Sequence, residues 1–298
     1  VQGELAVNVT DKRLYTENAS GAIVELGTNP LGAVTMASTL GVTGVLTATS
    51  LDISGNIDVD GTSNLDVIDV DGAANFAADV TLANGADLIT ASAGTSNFRA
   101  GVNAGNSIAS GGNYNTVVGD EAGTAITTGD YNVAVGYDSL TVDTLGGNSV
   151  AIGAFALRDQ NFTSATNAYN VGVGYEAGGS VTTGVQNTVI GSLAGDALTV
   201  GQRNVALGKG ALTTDVGGSK SVAIGHSALE SQNLGSSDTD SNNVAVGYNA
   251  GAGVTTGVQN TLIGAFAGDA TTTANENTAI GYTALSANTT AAGNTAVG

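Results

Sequence analysis

The chain has 298 residues, and 45 of them are glycine, whereas only 4% are aromatic and 11% are charged. So few large side chains cannot fill a thick globular core, while 42% hydrophobic residues are too many for a disordered chain. The formal charge of −19 argues against a nucleic-acid partner, which needs clustered Lys and Arg. The chain has no Cys for disulfides or thiolate metal sites, and no continuous apolar run long enough for a membrane span.

Residues 1–30 are predicted to form a small β-meander of their own. Residues 4–9 alternate apolar and polar side chains, and two further short apolar runs follow at residues 14–16 and 22–26. The polar turn at residues 18–21 separates these two runs, and Pro30, the only proline, marks the end of the segment.

Residues 31–96 are predicted to form an Asp-rich β shaft. Short alternating runs such as Leu51-Asp52-Ile53 recur, and no basic residue lies between Arg13 and Arg99. Strands this short cannot bury a face alone, so we expect three copies to wrap around one axis with the apolar residues inward.

Two Asp pairs in this segment, Asp58/Asp60 and Asp69/Asp71, match fragments of a calcium loop. The additional oxygen ligands and the terminal Glu of such a loop are missing. Solvated, outward-facing Asp is therefore the main interpretation, and calcium shared between three chains is the alternative.

Residues 97–298 form a repeat array. Eleven copies of a unit written N-x2-x3-x4-G-x6-x7-x8-x9 recur every seventeen residues, except for two longer gaps that end at Gly174 and Gly247, and a degenerate twelfth copy lies at residues 97–101. Position 2 is Thr or Val, position 4 is large and aliphatic, position 3 is usually small, and position 8 is nearly always Ala. A fixed short period predicts one structural unit stacked many times.

Position 9 shows that the array is built from larger blocks. It alternates as two Gly and then two Leu, and the equivalent glycines Gly101, Gly174 and Gly247 are equally spaced, one block of seventy-three residues apart. The array is therefore a duplicated block of four units followed by a shortened third copy, and it stops in mid-repeat at Gly298, as expected for part of a longer protein.

Seventeen residues suffice for two short strands and two turns, which is one coil of a β-solenoid. We expect position 4 to form the core, and the small residues at positions 3 and 8 to present a flat face to another chain. Asn is expected to bond to nearby backbone or to the Asn of the next coil, and Gly to supply a backbone conformation or close approach that a Cβ forbids. The predicted structural repeat residues are Asn115, Gly119, Asn132, Gly136, Gly153, Asn170, Gly174, Asn187, Gly191, Asn204, Gly208, Gly225, Asn243, Gly247, Asn260, Gly264, Asn277 and Gly281.

No group of residues in the sequence predicts catalysis or a cofactor, and no metal is expected apart from the calcium alternative at the Asp pairs, so we expect that the protein is not an enzyme. His226 is the only histidine and is interpreted as a surface residue. Residues 172–177 match a dinucleotide fingerprint by letter, but their glycines are repeat positions. The acidic pairs Asp120/Glu121 and Asp238/Asp240 lie in variable turns and give no reason to expect the paired carboxylates of a glycosidase, although a cleft between subunits stays open.

Two features are candidates for recognition. Tyr137, Tyr175, Tyr248 and Tyr282 share position 6, where they either stack on sugar rings or cover the end turn of the coil. Longer turns at residues 157–170 and 230–243 recur at the same phase of each block and are either a recognition surface or tolerated insertions.

The repeat, seen at residues 147–153 as Gly-Asn-Ser-Val-Ala-Ile-Gly, resembles the head repeat of trimeric autotransporter adhesins, the Yersinia-adhesin-like left-handed parallel β-roll. Residues 277–285 also resemble repeats of bacteriophage fibre proteins, and residues 3–27 are similar to the virion-proximal segment of phage tail fibres. These resemblances imply an all-β fibrous homotrimer.

The expected function is that of a structural phage fibre, located on the virion. It would bind other virion proteins through its N-terminal region and support adsorption to a bacterial surface glycan or protein. The alternative is the head of a bacterial trimeric surface adhesin, located on the cell surface.

Overall fold

The computed structural model describes residues 93–298 continuously and, nearer the N-terminus, residues 5–8, 10, 13–17, 20 and 22–25. The chain divides into two units at residues 78 and 79, and each is described by itself. The predicted shaft at residues 31–96, with its two Asp pairs, lies outside the described residues except for residues 93–96.

The first unit contains three short strands, β1 (Leu5–Asn8), β2 (Arg13–Glu17) and β3 (Ile23–Glu25). They pair antiparallel in the order β1-β2-β3, with Leu5 opposite Thr16 and Tyr15 opposite Glu25. An attachment role for residues 1–30 stays a prediction.

The second unit is a parallel β-solenoid of about twelve coils. Twelve three-residue strands, one from each coil, stack in chain order into one parallel sheet, and four two-residue strands form two small separate sheets. The part of the chain that the structure describes is all-β and contains no helix, as predicted. The strands are β4 (Phe98–Ala100), β5 (Thr116–Val118), β6 (Val133–Val135), β7 (Gly146–Gly147), β8 (Val150–Ile152), β9 (Thr166–Asn167), β10 (Val171–Val173), β11 (Thr188–Ile190), β12 (Val205–Leu207), β13 (Gly218–Ser219), β14 (Val222–Ile224), β15 (Thr239–Asp240), β16 (Val244–Val246), β17 (Thr261–Ile263), β18 (Thr278–Ile280) and β19 (Thr295–Val297).

The sheet keeps one register from end to end. Each position of the repeat lies beside the same position of the next coil, as in Thr188↔Val205 and Ile190↔Leu207. The degenerate first copy follows the same rule, with Phe98 paired to Thr116. The repeat therefore predicted the number of coils and their stacking correctly.

The prediction of two strands per coil is wrong. After the repeat glycine the chain makes turns, because positions 7 and 9 adopt a left-handed backbone, as at Glu121 (φ 58°) and Gly123 (φ 54°). This segment still bonds from coil to coil: the Gly123 N–H donates to the Ser139 carbonyl at 2.9 Å, and the Leu140 N–H donates to the Ala156 carbonyl at 3.1 Å.

The predicted orientation of the strand is also wrong. Position 3 faces the interior of the coil, where Val117, Ala151 and Val189 are fully buried, together with the Ala residues of position 8. Position 4 faces outward, and Ile152 keeps 40% of its surface exposed. The two walls of a coil lie too close for large side chains on both, so the small residues fill the interior and the aliphatic ones line the outside.

Inside each coil, the side chains at positions 3 and 9 compensate for each other in size. Where position 9 is Leu, position 3 is Ala, as in Leu140 with Ala134; where position 9 is Gly, position 3 is often larger, as in Gly195 with Val189. In the coil that has Gly at both positions, Leu157 of the preceding coil supplies the missing volume, since its side chain lies where a Cβ on Gly172 would be. The four-coil block is therefore a packing period.

The repeat glycines lie at the corner after each strand and have φ between 126° and 141° from Gly119 to Gly281, a region that side chains rarely adopt. A Cβ on Gly191 would also lie 2.7 Å from the carbonyl of Gly208.

Gly191→Ala is therefore expected to lower the free energy of unfolding by at least about 2 kcal/mol. Gly179→Ala is the matched control, since its Cβ would meet nothing closer than 3.4 Å. Urea unfolding of both variants measures the difference. An equal, small effect would contradict the requirement for glycine at the corner.

Candidate functional site

The repeated asparagines form a buried ladder along the solenoid. The Asn187 side-chain oxygen accepts the backbone N–H of Asn204 in the next coil at 3.0 Å. The Asn187 amide group donates to the Gly201 carbonyl at 2.8 Å and so closes its own coil. The same pair of bonds recurs at Asn115, Asn132, Asn170, Asn204, Asn243 and Asn260. Asn277 also lies on the ladder, where its side-chain oxygen accepts the Asn294 N–H.

An apolar strip runs along the outside of the sheet. It consists of positions 2 and 4 of the twelve strands, here called the outer face, which carry only Thr, Val, Ile and Leu from β5 to β19. Ile152, Leu207 and Ile280 are about 40% exposed. No charged side chain interrupts these positions, although the chain carries a formal charge of −19.

The ladder is interrupted once in each complete block, where Ser149 and Ser221 replace Asn. A buried glutamine fills the gap: Gln160 Nε2 donates to Ser149 Oγ at 2.9 Å, and Gln160 Oε1 accepts from Asn170 Nδ2 at 2.8 Å. Gln232 makes the same bonds to Ser221 and Asn243, both at 2.8 Å.

Each glutamine also holds a buried carboxyl group. Gln160 Nε2 donates to Asp143 Oδ2 at 2.6 Å, and Asp143 Oδ1 accepts the N–H groups of Gly146 and Phe162 at 3.0 and 3.1 Å. We name Asp143, Gln160 and Asn170 the first clasp.

Asp215, Gln232 and Asn243 form the second clasp with the same geometry. Burial raises the pKa of both carboxyl groups above the usual Asp value, and the hydrogen bonds from Gln160 and Gln232 act in the opposite direction.

The clasps fasten the two long turns to the solenoid. Phe162 and Leu234 lie inside these turns, and both donate their N–H to a clasp carboxylate. Beyond the clasps, β9 pairs with β7 and β15 pairs with β13. The long turns at residues 157–170 and 230–243 are thus held at two points each. Their use in recognition stays a prediction.

Our sequence reasoning missed the clasp residues Asp143, Gln160, Asp215 and Gln232, because polar residues in a turn segment suggest exposure. A signal was present three residues after position 9, where Ile126, Val181 and Leu198 are replaced by Asp and Gln in two coils of each block. That replacement accompanies the Ser that interrupts the ladder.

The position-6 tyrosines belong to two exposed aromatic rows. Tyr137 and Tyr175 pack edge-to-face on either side of Phe155, with ring centroids 5.3 and 5.9 Å apart. Tyr248 and Tyr282 pack likewise on Phe266. All four tyrosines remain at least 49% exposed, so their faces are covered only in part by neighbouring coils.

The other chemical candidates have local structural surroundings. His226 is exposed and stacks on Tyr248 at 5.3 Å. Glu121 accepts from Asn103, and Asp240 pairs with Lys220. Gly172 and Gly174 lie in strand β10 and at its corner, as repeat positions.

Within the described ranges, no three His, Asp or Glu side chains gather into a group able to hold a metal ion. The same residues include no helix long and apolar enough to cross a membrane.

Comparisons with protein-family models, with curated proteins and with solved structures found no match to this chain.

Proposed function

We propose that this chain is a structural fibre protein of a bacteriophage, assembled as a homotrimer, which projects from the virion and supports recognition of a bacterial host. The observation that supports assembly is the outer face, which carries no charged side chain from β5 to β19. The number of copies rests on the resemblance of the repeat to trimeric β-roll heads and to phage fibres.

The size of the outer face favours coverage by other copies. Eleven inter-strand steps of about 4.8 Å and strands about 10 Å wide give roughly 500 Å² on each chain. Patches of this size are at the upper end of what monomers expose and commonly mark interaction surfaces. Further copies in parallel would bring the same residue types to the same height in every coil.

Each region of the chain has a role in the proposed fibre. Residues 1–30 would join other virion proteins, and the long turns and aromatic rows would face a bacterial glycan or protein. The proposed role is mechanical and adhesive rather than catalytic. The second candidate, a bacterial trimeric adhesin head, is favoured by the same repeat and outer face.

Light scattering on the purified protein is expected to return three times the 28.9 kDa of one chain. A mass of one chain at micromolar concentration would contradict the trimer.

Antibody labelling separates the two candidate functions. An antibody against residues 97–298 is imaged on phage particles and on bacterial cells. We expect labelling on virions, and labelling confined to bacterial surfaces would overturn the proposal of a phage fibre.

A further inference from the structure

A polar cleft of about 310 Å³ opens where the first long turn meets the two preceding coils. Asp130 and Thr128 come from one coil, Gly147 from the next, and Ala165 with Asn167 from the turn. Leu145 and Thr166 complete the lining.

The duplicated block shows what a closed form of this cleft contains. Gln202 corresponds to Asp130, Ser219 to Gly147 and Asp238 to Ala165, since each pair precedes the same ladder or strand position. In the second block, the Asp238 carboxylate accepts from Gln202 Nε2 at 2.6 Å and from Ser219 Oγ. The second block therefore fills the equivalent space with its own side chain.

The first block lacks this closure, and one side of its cleft has a hydrogen-bond acceptor where the second block has a donor. Ala165 cannot reach across, and Asp130 offers a carboxylate where Gln202 offers an amide. Asp130 Oδ1 accepts the Asn113 N–H at 2.6 Å, and Asn167 Oδ1 accepts from Asn148 at 2.9 Å. Asp130 Oδ2, Asn167 Nδ2 and the Thr128 hydroxyl have no hydrogen-bond partner within the part of the chain described.

These open groups suit a ligand that both donates and accepts hydrogen bonds. A carboxylate accepts from a hydroxyl or ammonium group, and an amide or hydroxyl donates to a neighbouring oxygen. Asp130 and the charge of −19 disfavour an anionic ligand. Beside Asp130 in the chain, Tyr131 stacks on Tyr114 at 4.9 Å, and both rings are about half exposed.

We propose that this cleft binds a neutral or amino sugar of a surface glycan. Asp130 would accept from hydroxyl or amino groups, and Asn167 and Thr128 would donate to ring or hydroxyl oxygens. The inference deepens the proposed role in host recognition and rests on it. A Lys side chain of a protein receptor is the rival ligand.

The purified trimer is to be tested on an array of neutral, amino and acidic bacterial oligosaccharides, and by calorimetric titration with each sugar bound and with tetralysine. We expect binding of neutral or amino sugars only. The double variant Ala165→Asp/Asp130→Gln rebuilds the closure of the second block and is expected to weaken binding at least tenfold. Ser164→Asp is the control: it adds a charge at the residue before Ala165, outside the lining of the cleft, and is expected to leave binding unchanged.

Failure to bind any neutral or amino sugar, a preference for acidic glycans, tetralysine binding alone, or sugar binding that survives in the double variant would each overturn the cleft proposal. Light scattering and virion labelling report separately on the fibre. A trimeric, virion-located protein without sugar binding would therefore leave the proposed function standing and remove only this site.

Discussion

Val189→Asp is expected to unfold the coils around it, whereas Ile190→Asp is expected to leave each coil folded and to separate the chains of the proposed trimer. Val189 is fully buried in the coil interior, so an Asp there is a buried charge without a partner, with an expected cost of more than about 4 kcal/mol. Ile190 lies on the outer face and is only half-buried in the single chain. An Asp at this position can be hydrated when the chain is alone, but not when copies cover it.

The measurement is a urea melt with light scattering on the same samples. Val189→Asp should lose stability at every concentration, while Ile190→Asp should give the mass of one chain with most of its β circular-dichroism signal retained. Ser192→Asp, which adds a charge outside both the interior and the outer face, is the control and should remain assembled. If Ile190→Asp keeps the assembled mass, the outer face is not the contact between chains.

The number of coils was predictable because main-chain bonds between coils depend on spacing rather than on side chains. Thr188, Val205 and Val222 lie one repeat period apart from each other and fall in register. The inward face was not predictable from the sequence pattern, since alternation separates position 3 from positions 2 and 4 without indicating which of them faces the interior. The expectation that large aliphatic strand residues are buried fails because the narrow interior is already filled by residues such as Ala151 and Leu157.

The turns that replace the predicted second strand are only weakly indicated by the sequence. Position 7 is left-handed in every coil that contains it, but Glu121, Phe155 and Leu193 share no side-chain property that favours this conformation. Coil-to-coil bonding imposes it. At position 9, Gly indicates the left-handed backbone in some coils, whereas Leu140 and Leu229 adopt it for the sake of core packing.

The candidate site was predictable only in its location. The longer gaps of the repeat marked both turns correctly, and they could not reveal what fastens them. Ser149 and Gln160 are 11 residues apart, and the Gln fills the Asn position only because the coil folds back on itself. Asp143 reaches the turn because Gly146 has no Cβ, which would lie 2.0 Å from the carboxylate.

Gln232→Ala is expected to lower the free energy of unfolding by about 2–5 kcal/mol at neutral pH, because a buried polar group that loses its partner costs about 1–3 kcal/mol, a charged group costs more, and two such groups are affected. The change removes the donor to Asp215 Oδ2 at 2.5 Å and the acceptor of Asn243 Nδ2 at 2.8 Å. Asp215 and Asn243 both stay buried in the coil, and of the lost bonds only the Asn243 amide keeps a second acceptor, the Gly257 carbonyl at 2.7 Å. Gln160→Ala should behave alike, since the first clasp has the same bonds. Gln259→Ala, at an exposed position of the repeat, should change stability little.

The loss of stability caused by Gln232→Ala should depend on pH, and the direction of this dependence follows from the pKa of Asp215. Burial raises the pKa of this carboxyl in the folded chain, so the folded state binds its proton more tightly than the unfolded state. Its contribution to stability is therefore fully present below the ordinary Asp value of about 3.9 and is lost as pH rises through the raised value. Gln232 lowers that pKa, so its removal raises it further and steepens the decline. The difference between wild type and Gln232→Ala should widen from pH 3.5 to 7, by about 1.4 kcal/mol for each further pKa unit. A difference that is constant with pH would show that Gln232 does not stabilise the ionised form of Asp215 in the folded coil.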